Sequence, residues 1–283
     1  MGAANVINSG YGSVLRTAGW QQTDTGLLWV PPSMQVFSPP DYLGKSAATA
    51  FREGIWVRRF ELQNLNAGTI NVGIGSRMAN LHWGGGLLSS DGVTFMDLTS
   101  ALQSTASTAV QVTGADQTGS VIFADRKFDW MSFNVTTAET DGGGAVPDHV
   151  LQYSTAAGWT TIVAAMVLTD TLTTSNAVWS AIVRNLVWEK QPDWVVTNSA
   201  VHGGVPAGKY AIRLNSTDRE AGDTAAKVSG VEIGEALLLK SLTTTGIWEM
   251  EEVDYWMPAG DGLVAYFSDA TLSNRVYAEV LSR

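Results

Sequence analysis

The chain has 283 residues, no cysteine, 11 tryptophans and 29 glycines, and its 17 Lys/Arg against 27 Asp/Glu give a net charge of −10. Without cysteine there is no disulfide scaffold, thiolate metal site or cysteine nucleophile, and a hydrophobic content of 45% excludes a disordered chain. A pI near 4.7 argues against a nucleic-acid partner, which needs a basic face to displace counterions. Met1 is followed by Gly-Ala-Ala-Asn with no basic or apolar stretch, so no secretory signal is expected. The longest apolar run, Ile162 to Leu168, falls far short of the roughly 18 residues of a membrane span. The acidity lies in the second half, where residues 141–283 hold 9 Lys/Arg against 17 Asp/Glu. Such a surface keeps a protein soluble and repels its own copies.

Residues 1–45 are broken by Pro31-Pro32 and Pro39-Pro40 and loosened by Gly10, Gly12, Gly19 and Gly26. Proline removes backbone donors, so long strands are not expected. The segment nevertheless carries Tyr11, Trp20, Trp29, Phe37 and Tyr42. An extended arm packing on its own domain or on a neighbouring subunit would shelter those rings; an irregular strand pair is the alternative. Leu43-Gly44-Lys45-Ser46 imitates the end of a phosphate loop, but Pro39 stands where the first glycine belongs.

Residues 54–75 alternate apolar and polar around the turn-forming Asn64 to Thr69, which predicts two antiparallel strands joined by a short loop. Gly73-Ile74-Gly75 starts a dinucleotide fingerprint that Met78 ends. Trp83 precedes Gly84-Gly85-Gly86, read as a surface loop, which makes Trp83 a contact residue. Thr99 to Val112 supports at most one helical turn after Asp97, a possible N-cap. Strands follow at Trp130 to Val135, in the second half of Asn176 to Trp188, and at Tyr210 to Leu214, the last with Arg213 outward. Gly142 to Gly144 and Gly203-Gly204 are read as loops, and Asp218 to Asp223 as a polar turn rather than a calcium loop.

Three C-terminal strands are predicted, at Gly246 to Met257, Gly262 to Ser268 and Arg275 to Leu281. Trp248 and Met250 share one parity and Val253 and Tyr255 the other, so one extra residue, a β-bulge at Glu251-Glu252, would bring all four to one face. Glu249, Glu251, Glu252 and Asp254 then line the exposed side. These carboxylates are the one place where paired acids could serve glycoside hydrolysis. His82, His149 and His202 stand apart in sequence and are read as structural, and neither H-E-x-x-H nor G-x-S-x-G occurs. No catalytic residue, metal or cofactor is expected. Trp130, Trp159, Trp179, Trp188, Trp194, Trp248 and Trp256 are read mainly as core.

The fold class expected is all-β: one or two β-sandwich (jelly-roll-like) domains with an extended N-terminal arm. The divisions are 1–45 for the arm, 46–120 for a first β domain and 121–283 for a second sandwich.

One set of spaced residues carries a resemblance. It runs through Phe128-Asp129-Trp130, Leu151-Gln152-Tyr153, Gly158-Trp159-Thr160, Asp170-Thr171, Trp188, Pro192-Asp193-Trp194, Gly203-Gly204 and Tyr210 to Leu214. This stretch of about 90 residues resembles a β-sandwich module of virion structural proteins of tailed bacteriophages. It departs from that pattern in Ala211, where a second aromatic is usual, and in a longer loop before Trp188. The resemblance implies a virion location after assembly in the host cytoplasm. It implies a structural role: capsid decoration (cement), or a tail, connector or baseplate component. Partners would be the major capsid or other virion proteins and further copies of the chain, with a trimer favoured, and neither nucleic acid nor membrane. Tyr11, Trp20, Trp29, Phe37, Tyr42 and Trp83 are the interface candidates. A glycan-binding receptor-recognition module and a β-sandwich enzyme are the competing readings.

Overall fold

A computed structural model describes residues 6–9, 12–16, 20–21, 55–64, 68, 70–89, 92–104, 110–111, 119–143, 148–163, 167–170, 183–217, 222–242, 248–258, 260–267 and 275–282. The strands begin with β1 (Val6–Ser9), β2 (Gly12–Arg16), β3 (Trp20–Gln21), β4 (Ile55–Gln63), β5 (Ile70–Arg77), β6 (Trp83–Leu88) and β7 (Phe95–Asp97). The helix α1 (Thr99–Gln103) follows, then β8 (Val110–Gln111), β9 (Gly119–Ala124), β10 (Trp130–Thr137), β11 (Asp148–Thr155), β12 (Gly158–Thr161) and β13 (Val167–Asp170). The remainder are β14 (Val183–Trp188), β15 (Tyr210–Thr217), β16 (Lys227–Leu242), β17 (Trp248–Met257), β18 (Gly262–Phe267) and β19 (Arg275–Ser282). The protein is all-β, with antiparallel sheets in sandwich-like layers.

Two compact units form, one from residues 1–79 with 235–283, the other from 80–234. The expected division at 120/121 therefore does not hold. Both ends of the chain build one unit, and the second boundary falls inside β16. Alternating hydrophobicity reveals strands but not which sheet each strand joins, so it cannot show that the C-terminus returns to the N-terminal unit.

In the first unit β1, β2, β19, β4 and β17 lie side by side, with β3 also against β19. Over residues 6–21 the expected arm is thus a hairpin and a short strand: Ser9 pairs with Gly12, Val14 with Leu281, and Trp20 with Val276. β4 and β5 are strands as predicted but are not partners. β4 pairs with β17 and β19, and β5 with β18. The bulge in β17 lies two to three residues beyond the predicted place. Glu252 opposes Arg59 and Tyr255 opposes Val57, leaving one extra residue, and Asp254 takes φ 48°. Asp tolerates this left-handed conformation better than the branched Val253 beside it.

In the second unit one sheet runs β12, β11, β15, β9, β6, β7, and β13, β14, β10 and the first half of β16 pair in a second. Phe128, Trp130, Phe133, Leu186, Trp188, Ile212 and Ile122 are buried in this unit. Burying each such side chain contributes about 1.5–3 kcal/mol. α1 is the single turn expected, and Asp97 Oδ1 accepts the Thr99 N–H at 2.9 Å, satisfying one of its free amides.

Candidate functional site

Five aromatics of the resemblance, Phe128, Tyr153, Trp188, Trp194 and Tyr210, meet in the second unit, whereas Trp159 and Gly203-Gly204 lie at a different cluster and Thr171 lies outside the described residues. Trp194 is the hub. Its ring meets Phe128 at 5.4 Å, Tyr210 at 5.9 Å and Tyr153 at 6.5 Å, all edge-on, and Phe128 in turn meets Trp188 at 5.7 Å. Edge-on rings align a positive rim with a negative face, worth about 0.5–1.5 kcal/mol per pair beyond burial. The sequence places them there simply: Tyr153 is on β11, Tyr210 opens β15, Trp188 closes β14, and Pro192 ends the extended run so that Trp194 can fold back.

Polar groups hold this end in place. The Trp194 Nε1–H donates to Ser154 Oγ at 3.1 Å, which itself donates to Val195 O at 2.7 Å. Tyr153 Oη donates to Asp193 Oδ1 at 2.9 Å. Burial first, and then the Asp193 carboxylate, push the Tyr153 phenol above its ordinary range. Lys127 lies over the Tyr210 ring at 5.7 Å and donates to Gln191 O. Nearby, Asp125 accepts from Lys209 and lies 3.2 Å from His82 Nδ1. Lys209 and His82 hold the Asp125 carboxyl below the usual carboxylate range.

On the other face of the same sheet lies a second apolar cluster of Leu88, Val121, Phe123, Val205 and Ala211, with Phe95 and Trp159 against it. Residues 194–208 fold over it. Thr197 anchors the loop by accepting Lys209 N–H and donating from Oγ1 to Pro206 O, and Ser199 Oγ donates to Val205 O. Gly203 packs so tightly on the loop before β7 that a methyl group there would lie 1.9 Å from Gly92 O. Gly203-Gly204 is therefore a packing contact as well as a turn. Arg213, expected outward, is half-buried with its guanidinium 5.9 Å from the Trp159 ring, and desolvation lowers its pKa.

Of the interface candidates, Tyr11, Trp29, Phe37 and Tyr42 lie outside the described residues, and Trp20 is placed by its backbone in β3. Trp83 is corrected: it is 4% exposed, so it presents no contact surface. Gly84-Gly85-Gly86 is strand, not loop. A methyl on Gly86 would lie 1.9 Å from Met96 O, on Gly85 2.7 Å from Val121 O, and on Gly84 2.8 Å from the Phe123 ring. Consecutive glycines here mark close approach of the adjoining strands β7 and β9 and of the Phe123 side chain.

The acidic strand β17 is only partly solvated. Glu249 and Glu251 both pair with Lys240, whose pKa they push up to about 12, while Glu252 and Asp254 are exposed. Trp256, read as core, is 38% exposed and stands edge-on to Trp56 at 5.3 Å. His149 and Glu139 form a buried 2.8 Å pair. Among the described residues no group of three or more His, Asp or Glu could hold a metal, and no helix is long and apolar enough to cross a membrane.

Sequence reading missed the exposed apolar side chains on the loops of the loop-covered face, Val93 at 67% and Val201 at 42%, and the exposed Met96 at 59%, which the pairing with Leu87 places on the other face from Phe95. A signal was present, since residues 194–208 contain no Lys, Arg, Asp or Glu in a strongly acidic chain. No protein-family model, curated protein or solved structure matches the chain.

Proposed function

We propose that the chain is a structural protein of a bacteriophage virion, most simply a capsid decoration (cement) protein that stabilises the head lattice by protein–protein contacts. A tail, connector or baseplate position is the runner-up within the same class. The observation that carries the reading is the convergence of Phe128, Tyr153, Trp188, Trp194 and Tyr210 on one end of the sandwich. These residues of the resemblance act as one packed unit, as a scaffold module requires. The role is architectural rather than catalytic. Glu249 and Glu251 are engaged by Lys240, which suits structural carboxylates. Its partners are other virion proteins and further copies of itself. Mass spectrometry of purified particles of the encoding virus, followed by imaging of the labelled chain, tests this; absence of the chain from intact particles defeats it.

A glycan-binding role is favoured by one feature only, the exposed Trp256 next to Trp56 with Asp254 and Glu252 exposed on the same strand. An aromatic plane flanked by acceptors suits a sugar ring. A glycan array on the full chain and on Trp256→Ala decides it: no signal, or equal signal from both, removes this reading.

A further inference from the structure

Two cross-strand pairs share one face of the first unit's sheet. Trp256 on β17 stands directly opposite Trp56 on β4, and Glu252 stands directly opposite Arg59. Directly opposed residues project from the same side of a sheet. Against β19, Arg59 and Trp56 take positions 279 and 281, two residues apart, so both pairs lie on one face despite the extra residues in β4 and β17. That spacing sets the two pairs about 7 Å apart. Burial agrees with the register. Val57, Phe60 and Leu62 on β4 are buried, whereas Trp56, Arg59 and Glu61 are partly open and Glu252 and Trp256 are exposed. β17 ends the strand order of this sheet. Between Glu252 and Trp256 sits Asp254, the one non-glycine residue with positive φ among the described residues. Bulges of this kind re-aim side chains at sheet edges and beside binding sites.

We infer that this face binds one ring of a neutral pyranose, stacked on the exposed indole of Trp256 with its hydroxyls on Glu252 and Arg59. The inference rests on the glycan-binding reading given above and names its sugar class and polar contacts. A pyranose carries C–H groups on its face and hydroxyls round its rim. The Trp256 indole offers a flat apolar body for that face, and Trp56 props it from the side at 5.3 Å. A rim hydroxyl both donates and accepts. A carboxylate, which only accepts, beside a guanidinium, which only donates, therefore serves neighbouring hydroxyls with no group left unmatched. Glu61 Oε1 lies 3.9 Å from the Arg59 guanidinium and steadies it on this face. Charge selects the neutral sugar. An acidic sugar would approach the exposed Glu252 and Asp254 of a chain carrying a net −10 against like-charge repulsion. An amino sugar would set its cation against Arg59.

The test is isothermal titration calorimetry of the full chain with cellotetraose, mannotetraose and lactose as neutral probes and sialyllactose as the acidic one. At least one neutral probe should bind with a Kd on the order of 0.1–1 mM, and sialyllactose should bind more weakly than lactose. Trp256→Ala should weaken binding by about tenfold or more. Glu252→Ala and Arg59→Gln should each weaken it by on the order of tenfold, the loss of a hydrogen bond to a charged group. Val163→Ala, at an exposed position in the other unit, should bind as the wild type does. Glu252 is exposed, so Glu252→Ala gives the answer if Trp256→Ala loses its circular-dichroism signature. Full affinity in Glu252→Ala and Arg59→Gln would overturn the inference, as would tighter binding of sialyllactose than of lactose. Absence of binding by every neutral probe would overturn it too. The broader glycan reading then survives only if sialyllactose or the array gives a signal that Trp256→Ala removes.

Discussion

The indole of Trp159 stands at 89° to the imidazole of His202, their centroids 5.2 Å apart, and this contact fastens residues 194–208 to the sheet beneath. His202 is 1% exposed. Its Nδ1 lies 3.0 Å from the Asn198 N–H and its Nε2 3.2 Å from Gly158 O. The neutral tautomer with the proton on Nε2 satisfies both, by accepting at one nitrogen and donating at the other. His202→Phe retains a ring against Trp159 but leaves the Asn198 amide and the Gly158 carbonyl without these partners. We expect a loss of about 1–3 kcal/mol in urea unfolding. An unchanged midpoint would show that the ring contact alone holds the loop.

The triple glycine of β6 gives a sharper contrast. Gly86→Ala places a methyl 1.9 Å from the Met96 carbonyl oxygen, which is backbone and cannot rotate away. The β6–β7 pairing must open, costing about 3 kcal/mol or more. Gly143→Ala meets open space but a φ of 104°, so its cost is conformational and about 1–2 kcal/mol. Thermal melts of the two variants should rank in that order. Equal melts would mean that β7 is readily displaced.

The same strand shows what the sequence makes legible and where it stops. β14 was legible from the β-prone Val, Ile and Trp ahead of Pro192, whereas residue-by-residue alternation located β15 and the two halves of β17, because a half-buried strand must alternate. It also required a shift of register in β17. It could not locate that shift, because the parity argument fixes the count of residues and not which one turns left-handed. It could not pair β4 with β17 and β19 either, since alternation names a face and not a neighbour. Gly84 to Gly86 misled for a physical reason: glycine serves both turns and tight packing, and only neighbours distant in sequence decide which. Trp83 went with them. The cluster around Trp194 was legible as spaced aromatics, but the exposed valines of the opposite face were not, because an isolated Val reads the same inside and out.

Asp254 supplies a prediction of opposite sign. With φ at 48° it bears a left-handed strain that glycine lacks. Asp254→Gly should be neutral or stabilising by up to about 1 kcal/mol. Asp254→Val, with a branched side chain, should destabilise and lose the register between Tyr255 and Val57. Denaturant midpoints of the pair test this, and a loss of stability on the glycine change would mean that the carboxylate, not the backbone, holds the bulge.

Asp125 fixes a pH dependence. Its hydrogen bond from Lys209 is the largest cause lowering its pKa from the ordinary 3.8, with His82 adding to it. A folded-state pKa below the unfolded one contributes stability that is fully present above the unfolded value and is lost as pH falls through the folded one. Asp125→Asn should therefore melt lower than wild type near neutrality, and the gap should close as the solution is acidified well below 3.8. The exposure of this carboxylate keeps the effect small. A gap that persists into strong acid would assign the loss to the neutral geometry of the turn instead.

Trp194 separates packing from hydrogen bonding at the aromatic end. Trp194→Ala removes a ring shared with Phe128, Tyr153 and Tyr210 from a site that is 2% exposed, and should cost about 3–5 kcal/mol. Trp194→Phe keeps a ring but deletes the Nε1 donor. Ser154 Oγ still donates to Val195 O and accepts the Ala211 N–H at 3.3 Å, so no buried group is orphaned by that change. The expected loss is about 1–2 kcal/mol, from the smaller ring and the lost bond together. Urea midpoints of the two variants test this, and an unchanged midpoint in Trp194→Phe would show that neither the indole's extra size nor its hydrogen bond holds this end.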